Sequence, residues 1–400
     1  MIGLTPRDHW EHNLGDLFHG LAEALAPTKR NGKLNISGLA GCIPARSGRA
    51  ALVTAIRALN LPPGARIGVP LYCCAVVFKA ITEAGCTAHF IDVDPGTFCM
   101  STGDFLAKRS RLDAVIAVHM FGNLCDMSAL REAAQGKPII EDCALALGSK
   151  LRGRTVGSFG DIAFFSFRSG KCLSVGEGGA LFSSDADVIA RVARLTEEMK
   201  APSYADECAH ATKTYIKSIL RSKPLYGIVG YPLWEFMNRM GHLSENPGVA
   251  LSQIFMVDSA LIRKRLPLLD LIITRQRANA DFYSNALNLD PDMLCSEPPG
   301  MFYNRYYFPV TFPSMESRDL IAASLLKHRI DTMKYLGDIV GVAAKQYDYA
   351  GDCPVAERLS RTTLVIPSYY TLQKQQIVRI AECLNEGWAE VKERGHVAQL

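Results

Sequence analysis

Apolar positions in this chain follow two alternating spacings. From Leu14 to Leu25 they fall three and four apart, the period of a helix with one buried face, and Pro27 closes the pattern. The stretch Ala45 to Pro70 reads as a loop, a helix, a turn at Pro62 to Gly64 and a strand, and Val69 to Met100 as strand end, helix, strand and turn. A strand AVIAV follows between Asp113 and His119, a shorter one at Pro138 to Ile140, and a further apolar run ends in Ser166. Strands alternating with helices through short loops predict a mainly parallel sheet covered on both faces, an α/β fold.

Beyond residue 200 the pattern changes. Tyr215, Ile216, Ile219, Tyr226, Ile228, Leu233, Trp234 and Phe236 are interleaved with Lys213, Lys217, Arg221, Lys223 and Arg239, and Pro224 and Pro232 are expected to break the stretch into short pieces. A basic, aromatic, amphipathic stretch suits an anionic membrane surface, a second subunit or a cover over a site. From Val257 a helix runs on, bent at Pro267; Asn304 to Phe312 reads as a strand, and Arg318 to Thr332 as a helix. The divisions expected are a leader with one helix at 1–40, a large domain at 41–255 that includes an atypical segment at 201–247, and a smaller C-terminal domain at 256–400.

Composition narrows the class. The chain has 400 residues, 48% hydrophobic and 21% charged, with a net charge of +4; that gives no case for nucleic acid, which calls for clustered Lys and Arg. Twelve cysteines are scattered, Cys73 and Cys74 adjacent, with no Cys-x-x-Cys pair or zinc-type histidine spacing, so free thiols in a reducing cytoplasm and no metal are expected. No apolar run reaches eighteen residues, and the first residues lack the pattern of a signal peptide.

Candidate chemistry gathers between Ile139 and Asp185. Asp142 follows one apolar run and Lys171 another, 171 − 142 = 29 positions on, with Gly176, Gly178 and Gly179 after the lysine. A sheltered lysine can form a Schiff base with an aldehyde cofactor, a carboxylate at a strand end can hold a pyridine nitrogen protonated, and Ser166 can donate to a phosphate. The set points to pyridoxal 5'-phosphate (PLP). Taken singly, each residue has a plainer use: a solvated charge, a helix cap. Ser47 and Gly48 stand at a helix start, where an anion or an ordinary cap fits equally. His119, at a strand end, takes a secondary place in the site.

In combination, VHMFGN (Val118 to Asn123), EDCALALGS (Glu141 to Ser149), GRTVGSFGDIAFFSF (Gly153 to Phe167) and GKCLSVGEGGAL (Gly170 to Leu181) resemble the DegT/DnrJ/EryC1/StrS family of PLP-dependent sugar aminotransferases. The resemblance implies a fold type I transferase with a mainly parallel, seven-stranded-type sheet and a smaller C-terminal α/β domain. It makes Lys171 the Schiff-base lysine, Asp142 the pyridinium partner, Ser166 a phosphate ligand, and Gly48 and Arg49 part of the phosphate site. It implies transfer of an amino group from glutamate or glutamine to a keto sugar, nucleotide-linked, by a homodimer. The cytoplasm is expected from the free thiols, and peripheral membrane contact through 213–239, in the segment where the resemblance fails, from its basic and aromatic pattern. The alternatives are a PLP-dependent sugar dehydratase and a non-catalytic regulator or assembly factor.

Three positions depart from the pattern. Cys74 stands where relatives carry an aromatic residue that stacks on the pyridine ring, with Tyr72 as a candidate substitute. Leu145 stands where they carry Gln or His facing the cofactor ring oxygen. GVALS (Gly248 to Ser252) lacks the asparagine that reaches the partner's phosphate, and Asn246 is the nearest replacement. Arg305 and Lys334 are candidates for meeting a carboxylate or phosphate.

Overall fold

The computed structural model describes residues 3–10, 12–25, 32–239 and 248–397. Its centre is an eight-stranded sheet in the order Leu34–Ile36, Leu39–Ala45, Gly179–Phe182, Ile162–Ser166, Ile139–Asp142, Ala114–Val118, Arg66–Pro70, Thr87–Ile91. The last five of these strands are parallel to one another, and Gly179–Phe182 runs antiparallel between its two neighbours. The expected seven strands are thus present, and Leu34–Ile36 adds an eighth at the edge. Every residue of Ala114–Val118, Ile139–Asp142 and Ile162–Ser166 is buried. That is why these segments read as continuous apolar runs rather than alternating ones: parallel strands are covered on both faces.

Register decides where the chemistry falls. Val118 lies opposite Asp142 and Asp142 opposite Phe164, so His119, Asp142 and Ser166 all emerge at the carboxyl ends of three neighbouring strands. Against that end packs the helix Gly48–Ala58, which buries eight of its eleven residues and is capped by the Ser47 hydroxyl accepting from Ala50 N–H at 3.2 Å.

A second apolar core lies around the antiparallel pair Phe308–Thr311 and Thr363–Ile366, with Ile321, Leu325, Leu384 and Trp388 from two covering helices. The expected strand from Asn304 is shorter, because Asn304 is used elsewhere: its side-chain amide donates to the carbonyls of Leu145 and Leu147, clamping the loop after Asp142. Pro267 sits in a short 3-10 turn, Leu266–Leu268, that joins the helices Met256–Arg265 and Leu269–Ala286. Pro224 follows a helix end, that of Tyr204–Arg221, and Pro232 lies where the π-helical turn Tyr226–Gly230 gives way to the helix Tyr231–Arg239.

The first residues are built into the molecule. Thr5 pairs with the backbone of Arg329 and Asp331, Arg7 forms a two-pronged ion pair with Asp331, and the helix Leu14–Leu25 lies on Met256–Arg265. Asp16 meets Lys264 at 2.8 Å and Arg265 at 2.7 Å across that contact. Of the polar loop read at residues 28–33, residues 28–31 lie outside the described residues, as does Asn246.

Candidate active site

The strand ends and the helix Gly48–Ala58 enclose a cavity. Lys171, Asp142, Ser166, Gly48, Arg49, Cys74, Leu145 and His119 all line it. Tyr72 does not. Its ring is fully buried against Phe98 and Phe121, and its hydroxyl donates to the carbonyl of Tyr335 at 3.2 Å. The aromatic rings that do line the cavity include Phe164 and, from far along the chain, Tyr335.

Lys171 is presented by a tight turn in which its N–H donates to the carbonyl of Arg168 at 3.0 Å. Gly170, with φ +83°, makes the turn possible, and a Cβ there would lie 3.0 Å from Asp8 Oδ2 and 3.3 Å from Trp10 Nε1. Burial lowers the Lys171 amine to about 8, and the charge of Arg168 adds to this against the pull of Asp142 and Cys74. An amine near neutrality is the form that attacks a carbonyl.

Asp142 faces it from the neighbouring strand. Burial raises its pKa, and the Ala144 N–H, 2.9 Å from Oδ1, works against that along with Lys171 and His119. A buried carboxylate short of a full positive partner suits a ring nitrogen that must stay protonated.

The anion cradle is formed by Ser166 and the helix start. A Cβ on Gly48 would come 2.8 Å from Ser166 Cβ and 2.9 Å from its Oγ, so only glycine lets this helix N-terminus approach the serine. The dipole of that first turn, the Ser166 hydroxyl and the Arg49 guanidinium then converge on one wall. These residues fit the phosphate, ring and aldehyde of PLP. Leu145 offers the ring oxygen no donor, and Cys74 offers the ring face a smaller surface than an aromatic residue would.

His119, Glu141 and Cys143 lie close enough to one another to suggest a metal, but the imidazole and the carboxylate are engaged within the protein. His119 Nδ1 accepts from Cys125 N–H at 3.2 Å, leaving Nε2 to donate to Glu141 at 3.2 Å. Glu141 also accepts from the N–H groups of Gly157, Phe159 and Gly160. The cluster is a structural knot that fixes the loop 157–160 beneath the site.

Several neighbours were not singled out by the sequence. Arg168 and Glu177 line the cavity, and Glu177 is paired with Arg46, whose guanidinium also stacks over Phe255 at 4.0 Å. Within the motif stretch Arg168 looked like any solvated charge; Tyr335 and Arg46 carried no local signal. Arg305 and Lys334 meet protein carboxylates instead, Glu297 and Asp319.

A buried lysine of lowered pKa, a buried carboxylate and a serine against a helix start, gathered at the strand ends of a parallel sheet, fit a PLP-dependent enzyme. Comparison with known proteins places it: the chain belongs to the DegT/DnrJ/EryC1/StrS aminotransferase family, whose profile matches residues 35–385. It is therefore a PLP-dependent aminotransferase. It is 28% identical over 353 residues to the UDP-N-acetyl-3-dehydro-alpha-D-glucosamine 3-aminotransferase of Acidithiobacillus ferrooxidans, covering 86% of this chain and 84% of that one. It is 27% identical to the GDP-perosamine synthase of Escherichia coli O157:H7, covering 86% and 85%. Among solved structures, the PMP-form of the putative sugar aminotransferase Spr1654 from Streptococcus pneumoniae superposes with a TM-score of 0.78 at 16% identity, covering 98% of this chain and all of that one.

Proposed function

We propose that the protein transfers an amino group from glutamate or glutamine to a keto sugar, nucleotide-linked. The observation that carries this reading is the placement of Lys171 and Asp142 at neighbouring strand ends of one cavity whose other wall is the Gly48–Ser166 anion cradle. PLP, when bound, would take over the donor's amino group and withdraw electrons from the donor carbon as its proton leaves. In this reading Lys171 holds the cofactor, takes the proton from the donor carbon and later delivers one to the acceptor carbon as the amino group is passed on, its lowered pKa letting it do so near neutrality. Asp142 keeps the ring nitrogen protonated, and Ser166, Gly48 and Arg49 hold the phosphate. Tyr335, Cys74 and Leu145 shape the space left for substrate, and His119 supports Asp142 from behind.

The sugar class rests on the relatives, two of which are named as forming nucleotide-linked amino sugars; a third, L-glutamine:scyllo-inosose aminotransferase of Streptomyces griseus, is 37% identical over 163 residues, covering 40% of this chain and 38% of that one. The test is incubation of the holoenzyme with nucleotide-linked keto sugars and glutamate. Amino sugar formed in step with 2-oxoglutarate, and abolished in Lys171→Ala, is the expected result. Deoxygenated sugar without net amino transfer would instead establish a dehydratase, and a protein that never develops the cofactor's visible absorbance would establish a non-catalytic role.

The partners follow from the same reading: a homodimer acting in the cytoplasm, checked by sedimentation. No helix of the described residues is long and apolar enough to cross a membrane. On the pieces 226–239, however, Ile228, Val229, Leu233, Phe236 and Met237 are exposed at positions that form one helical stripe, which supports peripheral contact with an anionic membrane surface. Co-sedimentation with phosphatidylserine vesicles, lost in Phe236→Glu, checks this.

A further inference from the structure

Arg168 lines the cavity yet holds none of the cofactor groups assigned above. Its carbonyl accepts the Lys171 N–H, so one tight turn carries both the guanidinium and the reacting amine. Its side chain is exposed at the rim beside Cys74 and Tyr335.

The acids around it are committed. Asp8 is held by Arg221 and by Trp10 Nε1 at 3.1 Å, Glu177 by Arg46, and Asp142 faces the cavity floor with the Ala144 N–H. Among the described residues no carboxylate pairs with Arg168. Its repulsion reaches Lys171 and, on the helix Tyr204–Arg221, Lys217. The rim therefore holds positive charge that no described carboxylate neutralises.

Position selects the ligand. The α-carboxylate of an amino acid is fixed about 3 Å from the nitrogen that must reach the Lys171 position, because two covalent bonds separate them. The phosphates of a nucleotide-linked sugar lie beyond most of the sugar ring from its reacting carbonyl. A guanidinium on the lysine's own turn is thus within reach of the carboxylate, and its fork matches two carboxylate oxygens at once.

We propose that Arg168 anchors the α-carboxylate of the amino donor. The assignment rests on the amino-transfer reading above. Binding the donor also neutralises the cation nearest Lys171, which raises the amine's proton affinity at the stage when it must take a proton from the donor carbon.

The test compares the wild-type holoenzyme with Arg168→Met and Arg168→Lys. In single turnovers with L-glutamate, followed by the cofactor's visible absorbance, Arg168→Met should raise the half-saturating donor concentration about tenfold to a hundredfold, the value of a lost charge-assisted pair. Arg168→Lys should fall between. A second readout is the pH midpoint of that absorbance. Glutarate, an unreactive dicarboxylate, should raise the wild-type midpoint and leave that of Arg168→Met unmoved, and the variant's own midpoint should lie above the wild type's. An active wild type whose donor saturation and glutarate response survive in Arg168→Met overturns the anchor alone. If Arg168→Met weakens inhibition by UDP and spares the donor, the arginine serves a phosphate and the anchor is again overturned. A wild type that consumes no amino donor overturns the amino-transfer reading and the anchor with it.

Discussion

Replacing Glu141 by glutamine tests whether the buried knot behind Asp142 holds the site in place. Glu141 is fully buried; one oxygen accepts from Phe159 and Gly160 N–H, the other from Gly157 N–H at 2.8 Å and His119 Nε2 at 3.2 Å. An amide can satisfy one of these pairs, but its NH2 group must then face two donors on the other side. His119 cannot compensate by changing tautomer, since its Nδ1 is needed as acceptor for Cys125 N–H. Two charge-assisted bonds are lost and donors are left buried, a cost of about 3–5 kcal/mol, a large part of the 5–15 kcal/mol that keeps a domain folded. Chemical unfolding of the holoprotein followed by circular dichroism measures this. A loss under about 1 kcal/mol would refute the reasoning.

The same residue predicts an acid limb. Burial by itself would raise the Glu141 pKa; the His119 hydrogen bond and the N–H groups of Gly160 and Gly157 outweigh it and bring it below its ordinary 4.5. A carboxylate held low in the fold contributes stability above pH 4.5, and that contribution is lost as pH falls toward the folded value. Glu141→Gln should lack this part of the acid dependence.

Other outcomes follow from the cavity. Gly48→Ala places a Cβ 2.8 Å from Ser166, against ordinary contact at 3.4 Å or more, so the helix start must back away; a loss of about 1–3 kcal/mol in stability is expected. Cofactor affinity should fall with it, and PLP titration showing unchanged affinity would count against the phosphate cradle. Asp142→Asn should keep cofactor binding and lower turnover about 10²–10³-fold, as when one preorganised electrostatic partner is removed; a near-wild-type rate would remove Asp142 from the pyridine nitrogen. Capture of PLP by cofactor-free protein, followed at visible wavelengths, should rise with pH around a midpoint near 8, because only the neutral Lys171 amine reacts. A midpoint near the ordinary 10.5 would show that the lysine is not sheltered.

Local pattern alone placed most of the first core. Ala114–Val118, Ile139–Asp142 and Ile162–Ser166 are strands whose bodies are apolar because both faces are buried, with Glu141, Asp142 and Ser166 placed toward their carboxyl ends. The helix Leu14–Leu25 and the Ser47 cap were legible for the same reason. Asp142, Ser166 and Lys171 could be singled out because the order of acid, serine, lysine and glycines is itself a chemical pattern.

What the chain could not show by itself are the contacts between residues distant in sequence. Tyr72 was a reasonable stacking partner two positions from Cys74, yet packing turns it into the core, while Tyr335, more than 250 positions on, reaches the cavity. Gly170 is required by the closeness of Asp8 and Trp10, and Asn304, in a stretch that reads as a strand, clamps the Leu145 loop instead. Arg168 was one charge among many until the partners of Asp8 and Glu177 showed that, among the described residues, no carboxylate pairs with it. The sequence determined which groups exist and which elements carry them. The tertiary structure decided which charges are buried, which are paired and which remain for a ligand, since burial and pairing depend on neighbours that only the folded chain brings together.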